Sequence, residues 1–245
     1  MLKTITAREE DYLKAIFTLA NGTDTAVAPG ALVERLAVSS AAVSRMTRQL
    51  AKAGLVRRMA YQGVSLTFEG RQHALRVLRF HRLAEVFLVE QLGYDWADVD
   101  DTVDEMEHAM TEKLANRLEA FLNFPASCPH GDPIPNANLE LRAVRERPLT
   151  TLAVGQPVVI SRVTGETAMF RYLKEQALTP GTSLTLHRRA DVGGLLMIER
   201  NGETIPLTSL VAGAIFVRRP EEGRGVERER GREEEGEKAR VAERV

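Results

Sequence analysis

The sequence predicts a mainly α chain with a smaller β portion toward its C-terminal end, and three observations carry that expectation. Apolar residues recur at helical spacing through the first half of the 245 residues. From the run CPHGDPIP onward, Pro-rich loop gives way to short, turn-bounded β segments. Charge also switches along the chain: residues 35–82 hold ten Lys or Arg against one acidic residue, Glu69, whereas 83–140 hold thirteen Asp or Glu against Lys113 and Arg117. A basic module suggests an anionic partner such as nucleic acid, and an acidic one with histidines suggests cations.

The first helix is expected over 6–20, where Tyr12, Leu13, Ile16, Phe17 and Leu19 share helical spacing and Thr6 is placed to cap it. A short second helix follows the turn-rich NGTDT, with Pro29 in its first turn. Ser39 or Ser40 then caps a third helix that buries Val43, Met46 and Leu50 until Gly54 stops it. Two short strands, 55–58 and 64–67, joined through a turn at Gly63, complete a winged helix-turn-helix pattern. In the docking mode of that motif the start of the recognition helix faces base edges. This nominates Ser39, Ala41, Ala42 and Arg45 for base readout, and outward-turned Ser44, Thr47 and Arg48 with Arg57 and Arg58 of the wing for phosphate.

A long helix is expected over 68–92, and its Leu75, Leu78, Leu83, Val86 and Phe87 present more apolar surface than one thin domain covers, which predicts a homodimer through this region. On the same helix His81 and Glu85 lie at i, i+4 and so on one face. The next helix carries DVDDTVDEMEH. Its Asp100, Asp104, Glu107 and His108 are gathered by helical geometry beside an apolar stripe of Val99, Val103, Met106 and Met110. Charges placed against packed core need neutralising, and a divalent cation is one candidate. A helix capped by Thr111 follows, expected to turn Leu114, Leu118, Phe121 and Leu122 inward.

The segments PVVISRV, SLTLH, GLLMIE, TIPL and AIFVRR read as the strands of a small barrel, with Asn201-Gly202 as a hairpin turn and one helical stretch over 168–176. Beyond Pro220 the tail is low-complexity, charged and without aromatics, which predicts disorder for 220–245. No apolar run approaches eighteen residues, which argues against a transmembrane helix. The single cysteine, Cys128, excludes an internal disulfide, and the start MLKTITAREEDY lacks an apolar signal core, so the expected location is the cytoplasm. Cys128 and His130 read as structural, His73 as helix surface, and His187 as a barrel residue without ligand-type partners. Glu105 and His108 form one Glu-x-x-His pair, but a carboxylate-bridged metalloenzyme wants two such pairs, and Glu105 points away from the cluster on the helical wheel.

HRLAE, the EMEHAM run, the CPHGDPIP loop, the winged helix before them and the barrel after them, in that order over 8–219, resemble the three-domain form of the DtxR/MntR family of iron- and manganese-dependent transcriptional regulators. The resemblance implies a winged helix-turn-helix DNA-binding domain over 1–74, a helical dimerisation and metal-binding domain over 75–145, and a C-terminal SH3-like small β-barrel over 146–219. It implies a primary metal site of Asp11, Asp104, Glu107 and His108, and an ancillary site of His81, Glu85, Asp100 and Glu166. Two sites per subunit would then serve as corepressor sites on a homodimer bound to a double-stranded DNA operator, controlling metal-uptake genes, with no enzymatic activity, membrane or small organic substrate.

Iron regulators of the diphtheria-toxin type place Met and Cys where this chain has Asp11 and Asp104. Replacing sulfur by hard carboxylate oxygen favours Mn²⁺, with Fe²⁺ as the alternative. Lys14 stands where the small manganese regulators place a glutamate that helps hold a close metal pair, so its ammonium would repel a second cation and favour two separated sites. Met169 stands where the iron regulators supply a glutamine, leaving Glu166 as the barrel's contribution. A winged-helix regulator indifferent to metal is the other reading, with the acidic residues merely solvating the dimer.

Overall fold

A computed structural model describes residues 3–59, 61–190 and 194–220, which divide into two compact units. The expectation of disorder for the charged tail falls, from residue 221 on, outside the described residues. Of the described residues, the first unit takes in those of 3–95, 99–128 and 133–142, and the second those of 96–98, 129–132 and 143–220.

In the first unit, α1 (Ala7–Leu19) begins at a reciprocal cap. The Thr6 hydroxyl accepts from the Glu9 amide at 3.3 Å while the Thr6 amide donates to Glu9 Oε2 at 2.9 Å, an arrangement in which the capping residue contributes about 1 kcal/mol. Then come α2 (Pro29–Leu36) and α3 (Ser40–Lys52), the latter capped by Ser39, whose hydroxyl accepts from the Ala42 amide at 3.2 Å. The wing is the antiparallel pair β1 (Val56–Met59) and β2 (Gly63–Leu66), one residue displaced from the sequence expectation. Val27 bridges to Val64 beside it, so closely that a Cβ on Gly63 would lie 2.0 Å from the Val27 carbonyl oxygen; only glycine fits there, at φ +112°.

The helix α4 (Phe68–Leu92) spans the expected range and serves two cores. Its first half, with Ala74, Leu75 and Leu78, closes the core that α1, α3 and the wing build around Leu13, Ile16, Leu50 and Leu55. Its second half, from Phe80 to Leu88, packs with Val103 of α5 (Asp100–Glu107) and Val99 and Met110 to either side of it, and with Ala115 of α6 (Glu112–Phe121) and Leu122 just after it. One continuous helix therefore belongs to both parts that the sequence divided at residue 74.

Several expectations about which side chains face inward are corrected. Leu75, Leu78, Leu83 and Val86, expected to leave apolar surface uncovered, are buried within this one chain, because the long helix has partners on both ends. The exposed apolar groups on α4 and α6 include Phe68, Leu92, Leu114 and Phe121, the last three at 56%, 50% and 65% exposure; α6 turns Ala115 inward and Leu114 and Phe121 out. Thr47 is not turned outward on α3. It is buried, its hydroxyl donating to the Val43 carbonyl at 2.8 Å, the back-bond a helical threonine makes when it has no better partner. His73 is fully buried rather than on the helix surface.

The second unit is a six-stranded antiparallel sheet in the order β3 (Arg147–Pro148), β8 (Ile215–Arg218), β4 (Pro157–Val163), β5 (Ser183–Arg189), β6 (Leu196–Arg200), β7 (Glu203–Leu207). Its core gathers Leu149, Ile160, Leu186, Ile198, Leu207 and Ile215 with Phe170 and Leu173 from α7 (Thr167–Glu175). Asn201 and Gly202, at φ 51° and 82°, make the two-residue turn between β6 and β7 that their identities require. The short α8 (Ser209–Gly213) and the two-residue β3 went unanticipated, since neither is long enough to show a period.

Candidate metal centre

Three helices of the first unit present their ionisable groups to one another. Asp11 and Lys14 lie on one face of α1, His81 and Glu85 on one face of α4, and Asp100, Asp104, Glu107 and His108 along α5 and at its C-terminal end. Val99 and Val103 are fully buried, so α5 is held tightly enough to fix where its carboxylates point.

Glu107 is the hub. Its side chain is wholly buried; Oε1 accepts from Lys14 Nζ at 2.6 Å, and Oε2 meets His81 Nδ1 at 2.6 Å. His108 turns Nε2 toward Asp11 Oδ1 at 2.9 Å and toward Glu107 Oε1 at 3.5 Å. Its other nitrogen, Nδ1, is 2.7 Å from Glu10 Oε2, and Glu10 is in turn paired with Arg76. Asp104 sits at the more open edge, 3.0 Å from Lys14 Nζ and 3.4 Å from His81 Nδ1. His81 Nε2 lies 3.4 Å from Glu85, completing a chain of contacts from α1 across α5 to α4.

Among the residues of α1, α4 and α5 with His108, the ligand-type atoms fall into three overlapping groups, each mutually within 4.8 Å: Asp11, Glu107 and His108; His81, Asp104 and Glu107; and His81, Glu85 and Asp100. The primary set named from the sequence comes together except that Asp104 groups with His81 and Glu107 rather than with Asp11 and His108. Asp104 is held between the Lys14 ammonium at 3.0 Å and His81 Nδ1 at 3.4 Å. Of the ancillary set, His81, Glu85 and Asp100 lie together. Glu166 lies in the second unit, exposed at the N-terminal cap of α7, and its ligand role rests on the resemblance alone.

The electrostatics follow from burial and pairing. Burial works against charge on His81, but Glu85, Asp104 and Glu107 outweigh it and lift its pKa well above the usual imidazole value. His108 is raised too, burial again being overcome, here by Glu10, Glu107 and Asp11. Lys14 is raised despite burial because Glu107 and Asp104 both face it. Burial would push the Asp104 carboxyl up, yet hydrogen bonding to His81 and the charge of Lys14 hold it far below the carboxylate range. Asp11 shifts upward, burial exceeding the opposing pull of His108 and Lys14. The upward shifts of His81 and His108 favour their charged forms, so two imidazoles and the Lys14 ammonium face the carboxylates of the cluster. Hard oxygens with imidazole nitrogen form a donor set suited to Mn²⁺ or Fe²⁺, and the residues present fit such an ion.

Glu10 was missed by the sequence reading. As one of two acidic residues in the first turn of α1 it reads as a helix-dipole group, and only its burial and its bond to His108 show that it orients a candidate ligand. Glu105 is exposed and joins none of the three groups, so its Glu-x-x-His spacing with His108 has no structural counterpart among them.

On α3 and the wing, Arg45, Arg48, Arg57 and Arg58 are exposed, as are Ser39 and Ala41, while Ala42 and Ser44 are half-buried. A groove of about 570 Å³ separates the helix from the wing, lined by Ser40, Ser44, Arg58 and Tyr61 among others. Thr47, its hydroxyl spent on the backbone, is not presented to a phosphate.

Residues 4–64 match the iron dependent repressor N-terminal DNA binding domain, 67–136 the iron dependent repressor metal binding and dimerisation domain, and 147–219 the FeoA domain. The chain is 31% identical over 225 residues to the iron-dependent repressor IdeR of Mycobacterium tuberculosis, covering 85% of this chain and 95% of that protein. It is 28% identical to the diphtheria toxin repressor of Corynebacterium efficiens, over 88% of this chain and 97% of that one. Among solved structures, a manganese-dependent transcriptional repressor in complex with manganese superposes with a TM-score of 0.79 at 35% identity, covering 85% of this chain and 98% of that chain. The manganese regulator SloR superposes with a TM-score of 0.75 at 31% identity, covering 88% and 100%.

Proposed function

The chain belongs to the DtxR/MntR family of metal-dependent, DNA-binding transcriptional repressors, and from that premise we propose that Mn²⁺ is its activating ion, held where α1 meets α5. Members of this family are repressors, not enzymes. The observation that carries the reading is the group formed by Asp11 of α1 with Glu107 and His108 of α5. Asp11 belongs to the helix that packs on the winged-helix core, so a ligand shared with α5 ties the orientation of α3 to the state of the cluster.

Bound there, a divalent ion would supply two positive charges to carboxylates that otherwise face Lys14, His81 and His108. Asp11, Glu107 and His108 form the core of the primary site with Asp104 at its edge; His81, Glu85 and Asp100 form the ancillary site. Glu10 holds Nδ1 of His108, so that Nε2 faces the ion. The exposed Leu92, Leu114 and Phe121 supply apolar surface for a homodimer, which would set two recognition helices roughly 34 Å apart, one turn of DNA. Arg45 reads bases, while Arg48, Arg57 and Arg58 hold phosphates, and the targets are metal-uptake genes.

Manganese is preferred because Asp11 and Asp104 offer oxygen rather than sulfur. Iron is the second reading, favoured by the identity to IdeR. The test is operator binding at fixed salt, on DNA selected from a random pool with mixed divalent ions, across Mn²⁺, anaerobic Fe²⁺, Co²⁺ and Zn²⁺. Mn²⁺ is expected to activate at concentrations where Fe²⁺ does not. Equal or earlier activation by Fe²⁺ moves the assignment to iron, and binding indifferent to chelator removes metal control altogether.

A further inference from the structure

Lys14 is a cation already in place at the centre. It follows Asp11 by three positions and Glu10 by four, so α1 carries it on the face that meets α5. Its ammonium reaches two carboxylates from that helix, Asp104 Oδ1 at 3.0 Å and Glu107 Oε1 at 2.6 Å, with only 17% of its side chain exposed. The same Glu107 oxygen also faces Nε2 of His108 at 3.5 Å, the nitrogen that groups with Asp11. One oxygen therefore serves both the ammonium and the ligand group, and it cannot bond fully to Lys14 and to a divalent ion at once.

We propose that Lys14 is a tethered counter-ion that competes with the divalent cation for Glu107 and Asp104, so that it sets the metal concentration at which the chain responds and holds α1 against α5 when metal is scarce. The inference rests on the reading of this cluster as a metal site. An ammonium brings one positive charge on a flexible stem, and a divalent ion brings two at shorter range, so the ion displaces the ammonium only above a threshold concentration. The threshold is built into the chain, because the competitor is covalently attached and its local concentration does not vary. Removing the charge leaves Glu107 and Asp104 for the metal alone. Replacing Lys14 by arginine keeps the competitor.

The experiment is calorimetric titration of the full chain with Mn²⁺ at fixed pH and ionic strength, beside melting curves in EDTA and in Mn²⁺, for wild type, Lys14→Met, Lys14→Gln, Lys14→Arg and Glu107→Gln. Lys14→Met and Lys14→Gln are expected to bind Mn²⁺ roughly tenfold to hundredfold more tightly. They should melt earlier than wild type in EDTA and gain more from Mn²⁺, while Lys14→Arg stays near wild type. Affinity unchanged or weakened in both neutral variants, with no larger gain from Mn²⁺ on melting, overturns the proposal. The glutamine variant separates the two levels. If Glu107→Gln loses Mn²⁺ binding while the neutral Lys14 variants match wild type, the metal site stands and the role of Lys14 falls. If Glu107→Gln binds Mn²⁺ as wild type does, the metal reading falls, and the inference with it.

Discussion

The metal centre and the recognition face use charge in opposite ways within one unit. At the centre, carboxylates are drawn into the junction of three helices, and the most buried meet basic groups from other elements: Glu107 meets Lys14 and His81, and Glu10 meets Arg76 and His108. On α3 and the wing, Arg45, Arg48, Arg57 and Arg58 stand in solvent. Burying charge is costly and makes the arrangement conditional on what neutralises it, which suits a switch. Exposed arginines cost the fold little, and in the proposed reading they would meet phosphate, which suits affinity. The difference teaches that specificity for conditions and strength on DNA reside in different chemistry, and substitutions should separate them.

The largest expected effect is at the hub. Glu107→Gln keeps the shape but removes the charge shared by every group around it, and Mn²⁺ affinity measured by titration should fall by more than the roughly tenfold to hundredfold typical of outer-shell changes. Metal-stimulated DNA retardation should vanish with it. Arg45→Ala tests the other region: operator affinity should fall by about 1–3 kcal/mol while the metal isotherm stays unchanged. Loss of metal affinity in that variant would break the separation.

Glu10→Gln probes the boundary between them, because Glu10 touches His108 but is no ligand in this reading. Mn²⁺ affinity should weaken by about tenfold, with DNA binding recovered at higher Mn²⁺. The pH dependence sharpens the same point. With His81 and His108 raised above their unfolded values, their ion pairs stabilise the metal-free chain fully below about pH 6.5, and that contribution is lost as pH rises through the raised values. Metal binding needs neutral imidazole, so Mn²⁺ affinity should climb over the window in which metal-free stability declines. Melting curves and titrations that move together with pH would contradict this picture.

The smallest effect concerns His73, buried with neither ring nitrogen hydrogen-bonded among the described residues. Burial and the neighbouring Arg76 depress its pKa, so its neutral form is the folded one; its contribution is intact above about pH 6.5 and is lost as pH falls below that toward the depressed value. His73→Leu should sit within about 1 kcal/mol of wild type at neutral pH and flatten the acid limb of the stability curve.

Much of this was legible in order along the chain. Thr6, Ser39 and Thr111 cap the helices their identities predict, and Asn201-Gly202 turns the hairpin it signals, because caps and turns are local chemistry between residues a few positions apart. Helical spacing likewise placed His81 with Glu85 and Asp104 with Glu107 and His108 on common faces.

What spacing cannot state is what a face will meet. Thr47 turned inward, and Leu114 and Phe121 outward, because the neighbours of α3 and α6 decide which part of an amphipathic surface is covered. The sequence by itself determined the longer elements, their order and the ligand-type residues, since each depends on short-range geometry. Only the tertiary structure decided that Glu107 would lie between Lys14, 93 residues away, and His81, 26 residues away, and that Glu10 would hold His108 across 98 residues. Those contacts depend on how three helices pack, and packing is set by the buried side chains of all of them together rather than by any one segment.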